Sequence, residues 1–106
     1  MSTKETIAAP TTSIPEGNVI YIGRAKPVMT YVLATLTRLN NAPTITLKAR
    51  GAAISLAVDV AQITIHRFVS GAKVTDVKLG TEQLESREGG SKNVSSIEIK
   101  IANPVT

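Results

Sequence analysis

A change of hydrophobic period at Gly51 constrains the fold more than any other feature of this sequence. Before it, the apolar residues Ile45, Leu47 and Ala49 alternate with polar ones, which is the period of a β-strand with one buried face. After it, apolar residues recur at helical spacing: Ile54, Ala57, Val58, Ala61, Ile65 and Phe68. Glycine accepts the backbone conformations of a tight turn that other residues resist. The pattern therefore predicts a strand that turns sharply into a helix over about residues 52–68.

The corner at Gly51 is basic. Arg50 lies at it, and Lys48 precedes it on the strand. The start of a helix offers free N–H groups and the positive end of a dipole, which favours anions. These features suit a polyanion such as a nucleic acid. A basic residue at such a corner is more typical of a solvated surface, so the corner alone does not indicate a nucleic-acid site.

Three further strands and one further helix follow from the same patterns. Residues 18–23 predict a first strand, apolar on both sides and therefore expected at the centre of the sheet, buried on both faces. Pro27 suits the first position of a helix that runs to about Asn40. A third strand is predicted over about 73–79, where the alternation breaks between Val74 and Val77 and indicates a bulge. The last strand, about 94–102, alternates cleanly.

The predicted order is βαβαββ, which places the chain in the α/β class with two helices packed on a four-stranded mixed sheet. The two crossovers favour parallel pairing. The last two strands form a hairpin whose connection, residues 80–93, is long and polar. It is predicted to be an extended arm, with a flexible surface loop as the alternative. Residues 1–17 contain several Pro, Ser and Thr residues and are predicted to be a flexible tail before one domain, 18–106.

Composition argues against several classes of protein. The absence of cysteine excludes disulfides and thiolate metal sites, and the single histidine, His66, has no partner ligand nearby in sequence. We therefore expect no metal, no cofactor and no catalytic site. No apolar run reaches the length of a membrane span, and the N-terminus lacks the apolar core of a signal peptide, so we expect a cytoplasmic protein without a membrane partner. Few aromatic residues argue against recognition of bases by stacking.

Positive charge is concentrated in one segment. Residues 18–58 carry five basic residues and no acidic one: Arg24, Lys26, Arg38, Lys48 and Arg50. Residues 1–17 carry a net charge of −1, and residues 59–106 a net charge of zero. This distribution predicts a surface that binds a polyanion. For Lys48 and Arg38, solvated charges at the edge of the fold are the favoured interpretation.

The chain resembles the Alba family of small basic archaeal chromatin proteins. The matching segments are Asn18-Val-Ile-Tyr-Ile-Gly23, Lys26-Pro-Val-Met-Thr-Tyr-Val-Leu-Ala34, Lys48-Ala-Arg-Gly51, Ala53-Ile-Ser55, Ala57-Val-Asp59, Arg67-Phe68 and Asn93-Val-Ser-Ser-Ile-Glu-Ile99. They occur in the family's order and separation over about residues 18–102. Each segment is a weak signal alone, and together they are specific.

The resemblance implies a homodimer that binds double-stranded DNA with little sequence preference, coats and compacts the chromosome, and also binds RNA. The family's basic contacts correspond to Lys26 and Arg50, and Arg24 and Lys48 lie beside them. The hairpin arm, with Arg87 and Lys92, is expected to reach toward the minor groove. Phe68 corresponds to the family's aromatic residue between neighbouring dimers, although its spacing also fits a core position.

Several positions depart from the family's pattern. The loop Gly23-Arg-Ala-Lys-Pro27 is one residue longer than the common form, and Ala52, Leu56 and Gly90 stand where basic residues are common. These changes favour a divergent member, either a homodimer or a heterodimer with a more typical paralogue. The main alternative function is an RNA-binding protein or a subunit of an RNA-processing particle. A plain assembly module is a third reading, which the basic segment disfavours.

Overall fold

Two helices cover one face of a four-stranded mixed sheet, which confirms the predicted fold class. The computed structural model describes residues 18–85 and 89–103. The elements in chain order are β1 (Val19–Tyr21), α1 (Val28–Asn41), β2 (Thr44–Arg50), α2 (Ile54–Ile63), β3 (Lys73–Glu85) and β4 (Ser91–Ala102). The predicted N-terminal tail lies outside the described residues.

The order of strands in the sheet is β1-β2-β4-β3. β1 pairs in parallel with β2, whereas β4 is antiparallel to both β2 and β3. Alternate residues point to the helices and form the core; the largest fully buried side chains are Leu39, Ile45, Leu47, Ile101, Val32 and Val60. The opposite face of the sheet is open and polar. β1 is an edge strand, so the prediction that it is central and buried on both faces is wrong.

α1 packs on the sheet through Val32, Thr35 and Leu39, which are all buried. Pro27 is the N-cap residue of α1 and has an extended conformation. The helix therefore begins one residue later than predicted, at Val28. Met29 and Leu33 recur at the helical spacing of the other apolar residues in α1, but both are exposed.

The corner at Gly51 has the predicted conformation. Gly51 has a φ of 60°, a left-handed value that favours glycine. A short 3₁₀ turn, Gly51–Ala53, leads into α2, and a π-helical turn, Thr64–Phe68, follows it. The predicted single helix is therefore three helical segments in sequence.

β3 and β4 project beyond the rest of the sheet as a two-stranded arm. Their pairing runs from Lys73 opposite Ala102 to Glu85 opposite Ser91, whereas β2 ends at Arg50, opposite Ser96. The predicted bulge is present as a register shift between Val74 and Asp76. Most of the predicted long connection is strand, because residues 80–85 of β3 pair with residues 91–96 of β4. Within the described ranges, no helix is long and apolar enough to cross a membrane.

Candidate nucleic-acid interface

The loop between β1 and α1 presents two of the predicted basic residues. Arg24 and Lys26 are both exposed on it. The start of the loop is held in place, since Ile22 N donates to the carbonyl of Lys48 at 2.8 Å and Gly23 N donates to the Tyr31 hydroxyl at 3.2 Å. Neither Arg24 nor Lys26 forms an ion pair with any residue that the structure describes. Their charges are therefore available to an external anion.

The basic residues of the corner are instead paired with acids across the sheet. An Arg50 guanidinium nitrogen lies 2.8 Å from Glu82 Oε1, and Lys48 Nζ lies 3.8 Å from Glu98 Oε2. All four side chains lie on the open face and are partly exposed, so each pair stabilises the fold by at most about 1 kcal/mol. The sequence showed only the positive charges of Lys48 and Arg50 at this corner. In the structure, each of these charges is paired with a carboxylate.

The Arg50–Glu82 pair connects the body of the domain to the arm. Arg50 lies opposite Ser96 on β4, and Ser96 lies opposite Gly80 on β3, two residues before Glu82. Two small residues thus leave room for the arginine to cross β4. The fit is close, because a Cβ at Gly80 would stand 3.0 Å from the Ser96 hydroxyl oxygen. The same guanidinium can contact the arm or an incoming phosphate.

An open cavity of about 580 Å³ lies at this end of the open face. It is lined by Tyr21, Ile22, Gly23, Tyr31, Lys48, Ala49, Arg50, Glu82, Ser96, Ile97 and Glu98. Tyr21 exposes 72% of its surface, and Lys48 Nζ lies 5.9 Å from the centre of its ring. The cavity thus brings together Lys48, Arg50 and an aromatic ring that the sequence had placed in the interior.

The other predicted site residues do not line this cavity. Arg24 and Lys26 lie on the neighbouring loop. Lys92 is exposed on β4, four residues from Ser96, which places it roughly 14 Å further along the arm. Arg87 lies outside the described residues. The predicted nucleic-acid contacts therefore extend along one end of the body and onto the arm.

Phe68 lies at the end of the π-helical turn and exposes 51% of its surface. It is not part of the buried core, so the alternative core position predicted from its spacing is wrong. The wider π-helical turn changes the helical spacing just before Phe68, which explains why the periodicity placed the ring inward. Nearby, His66 is exposed and hydrogen-bonded to Gln62.

Sequence reasoning missed three residues that line the cavity on the open face: Tyr21, Glu82 and Glu98. The two acids are distant in sequence from their basic partners and become neighbours only through strand register. Tyr21 sits in an apolar segment, and only the order of the strands places it at an edge. Among residues 18–85 and 89–103, no group of three metal-ligating side chains occurs.

The fold and site define a class of protein: a small basic α/β domain with an open, charged sheet face and a projecting hairpin arm. The sequence model of the Alba family matches residues 18–81. The chain belongs to the Alba family, a family of nucleic-acid-binding proteins rather than of enzymes.

Similar proteins come from several archaea. The DNA/RNA-binding protein Alba of Methanocella arvoryzae is 49% identical over 92 residues, which cover 86% of this chain and 95% of that protein. The protein of the same name from Picrophilus torridus is 56% identical over 86 residues, covering 79% and 93%. The solved structure of Alba from Thermoplasma volcanium aligns with a TM-score of 0.75 at 52% identity, covering 80% of this chain and 99% of that one.

Proposed function

We propose that this protein binds double-stranded DNA as a dimer, without sequence preference, and coats and compacts the chromosome in the cytoplasm. One observation carries the proposal: the exposed side chains of Arg24 and Lys26, which form no ion pair with a described residue, stand on a fixed loop beside Lys48 and Arg50. Arginine and lysine neutralise phosphates whatever the base sequence. The relatives are named DNA/RNA-binding proteins, which supports the nucleic-acid-binding part of the proposal.

The exposed surface of β3 supports a dimer. Val74, Val77 and Leu79 pair with buried residues of β4, so they lie on the helix side of the sheet, where the helices no longer cover them. Leu79 exposes 80% of its surface. The bulge between Val74 and Asp76 brings Val74 and Val77 onto one side and completes the apolar stripe. A second copy of the chain, or a paralogue in a heterodimer, would bury it.

Binding to RNA is the second function that we propose, either beside DNA or as a subunit of an RNA-processing particle. The relatives' names include RNA, and phosphate contacts serve both nucleic acids. Crosslinking in cells followed by sequencing of the bound DNA and RNA separates the two roles. Broad coverage of the genome supports the chromosomal role, and enrichment on a few structured RNAs supports the RNA role.

The measurement that tests the proposal is the affinity for duplex DNA as a function of salt. A dimer that makes roughly 6–10 phosphate contacts should lose about 10³–10⁵ in affinity between 50 and 200 mM salt. Duplexes of unrelated sequence should bind alike. A preference of several kcal/mol for one duplex, or a salt dependence close to zero, would contradict the proposal. Light scattering on the protein without DNA should give twice the mass of the chain.

A further inference from the structure

We propose that the cavity beside Tyr21 binds an unpaired nucleotide of a single strand, with the base stacked on the Tyr21 ring and the phosphate on Arg50 and Lys48. This inference rests on the proposed nucleic-acid binding and adds a second mode to it. The phosphate contacts proposed above need no access to bases, whereas this site does. It would let the protein distinguish a single strand or a splayed base from an intact duplex.

Tyr21 presents an exposed aromatic ring at the edge of the sheet. β1 is the edge strand, and Tyr21 is paired with Lys48, whose side chain lies on the open face. The tyrosine therefore projects onto the open face, where it exposes 72% of its surface. An exposed aromatic ring on a sheet is the kind of surface on which single-stranded bases stack, and stacking tolerates any base.

Two positively charged side chains, those of Lys48 and Arg50, line the same cavity as the ring. Lys48 Nζ lies 5.9 Å from the ring centre, and Arg50, two residues further along β2, lines the same cavity. Successive groups of one nucleotide, a base and a phosphate, thus find a ring and two cations on adjacent strands. The volume of about 580 Å³ falls in the range of sites that hold small ligands. An apolar ligand would leave both cations without a role.

Glu82 and Glu98 also line the cavity, and each is paired with one of the two cations. These ion pairs are partly exposed to solvent and weak, so a phosphate can replace the carboxylates without a large penalty. The carboxylates also oppose the entry of a free anion without a base to stack. The site therefore favours a nucleotide over inorganic phosphate, because the ring contributes a contact that phosphate lacks.

The test compares Tyr21→Leu with Tyr21→Phe in the full chain. Leucine keeps an apolar side chain but removes the π-face, whereas phenylalanine keeps the ring. Short oligouridylate and oligothymidylate strands are the probes, and a duplex of equal length is the reference. Tyr21→Leu should bind the single strands about tenfold more weakly or worse. Tyr21→Phe should bind them as the unchanged protein does.

Duplex affinity of both variants should change by less than about twofold, because phosphates supply it and stacked bases cannot reach the ring. Loss on one kind of strand or on both supports the site and identifies its ligand as RNA, DNA or either. Undiminished single-strand binding by Tyr21→Leu, with duplex binding intact, overturns this inference alone. Absence of duplex binding by the unchanged protein overturns the proposed function instead.

A direct signal is also available, because Tyr21 and Tyr31 are the two tyrosines and the chain has no tryptophan. Stacking on a base quenches tyrosine fluorescence. Oligouridylate should therefore quench the unchanged protein more than Tyr21→Phe, which retains only Tyr31 as a fluorophore. Equal quenching in the two proteins would overturn the stacked geometry.

Discussion

Arg50 has two alternative partners, and the balance between them sets how strongly the corner binds a phosphate. In the structure its guanidinium contacts Glu82 at 2.8 Å. A phosphate must replace this carboxylate before it gains the arginine. Arg24 and Lys26 have no such competitor among the described residues. Basic residues of equal formal charge therefore differ in how much free energy they contribute to phosphate binding.

We expect Glu82→Gln to raise affinity for duplex DNA, since it frees Arg50. An exposed pair is worth about 0.2–1 kcal/mol, so the gain should reach about fivefold at most. Glu85→Gln is the matched control, because Glu85 lies on the same strand, is exposed and forms no ion pair in the described part of the chain. Both variants remove one negative charge, so any difference between them cannot come from the change in net charge.

A double-mutant cycle with Arg50→Ala makes the test specific. In the Arg50→Ala background, Glu82→Gln should gain no more than Glu85→Gln does. Equal gains from the two glutamine variants in the presence of Arg50 would show that Glu82 acts only through long-range charge. Circular dichroism should show all variants folded, because the side chains concerned are exposed on the surface.

At the scale of elements, what the sequence could predict depended on whether an element has a buried face. β2 and β4 alternate cleanly because Ile45, Leu47, Ile99 and Ile101 face the core. The outer half of β3 has no core to face, so its polar residues fitted an extended arm and a flexible surface loop equally well, and the structure forms the arm as a paired strand. The cross-strand ion pairs were unpredictable for another reason: they require the register of strands far apart in sequence.

The arm and the body should respond differently to the same loss of charge. Lys92 lies on the projecting arm, whereas Lys26 lies on a loop of the body. Lys26→Ala should weaken binding to every duplex alike and lower the salt slope by about one contact per subunit. Lys92→Ala should weaken binding most on A-tract duplexes, whose narrow minor groove attracts cations.

Fluorescence anisotropy with A-tract and G·C-rich duplexes of equal length measures the difference. The ratio of affinities for the two duplexes should change in Lys92→Ala and stay constant in Lys26→Ala. A constant ratio in both variants would mean that the arm contacts phosphates only.

At the scale of the whole molecule, several large apolar side chains of the described residues are exposed, and two groups of them bear on assembly. One is the stripe on β3, formed by Val74, Val77 and Leu79. The other is the ring of Phe68 at the end of the second helix. Two separate surfaces of this kind suit two successive contacts, first within a dimer and then between dimers that lie side by side on DNA.

A substitution of Phe68 distinguishes the contact within a dimer from the contact between dimers. We expect Phe68→Ala to leave the dimer and its affinity for a single site intact, and to abolish cooperative coating of long DNA. The physical reason is that an aromatic pair contributes about 0.5–1.5 kcal/mol beyond its buried area, too little to join free dimers but repeated at every junction along the DNA. Stability should fall by much less than the about 3–5 kcal/mol that removal of a buried phenylalanine costs, because half of this side chain is already exposed.

Binding isotherms on a one-dimer duplex and on a long duplex, with a thermal melt of each protein, provide the readout. Leu33→Ala is the matched control, since Leu33 is a large apolar residue on α1 with a comparable exposure of 58%. The steep isotherm on long DNA should become shallow in Phe68→Ala while the one-dimer isotherm stays unchanged. If Phe68→Ala retained the steep isotherm, cooperativity would have to come from the DNA itself or from another surface of the protein. Loss of cooperativity in Leu33→Ala would then identify α1 as that surface.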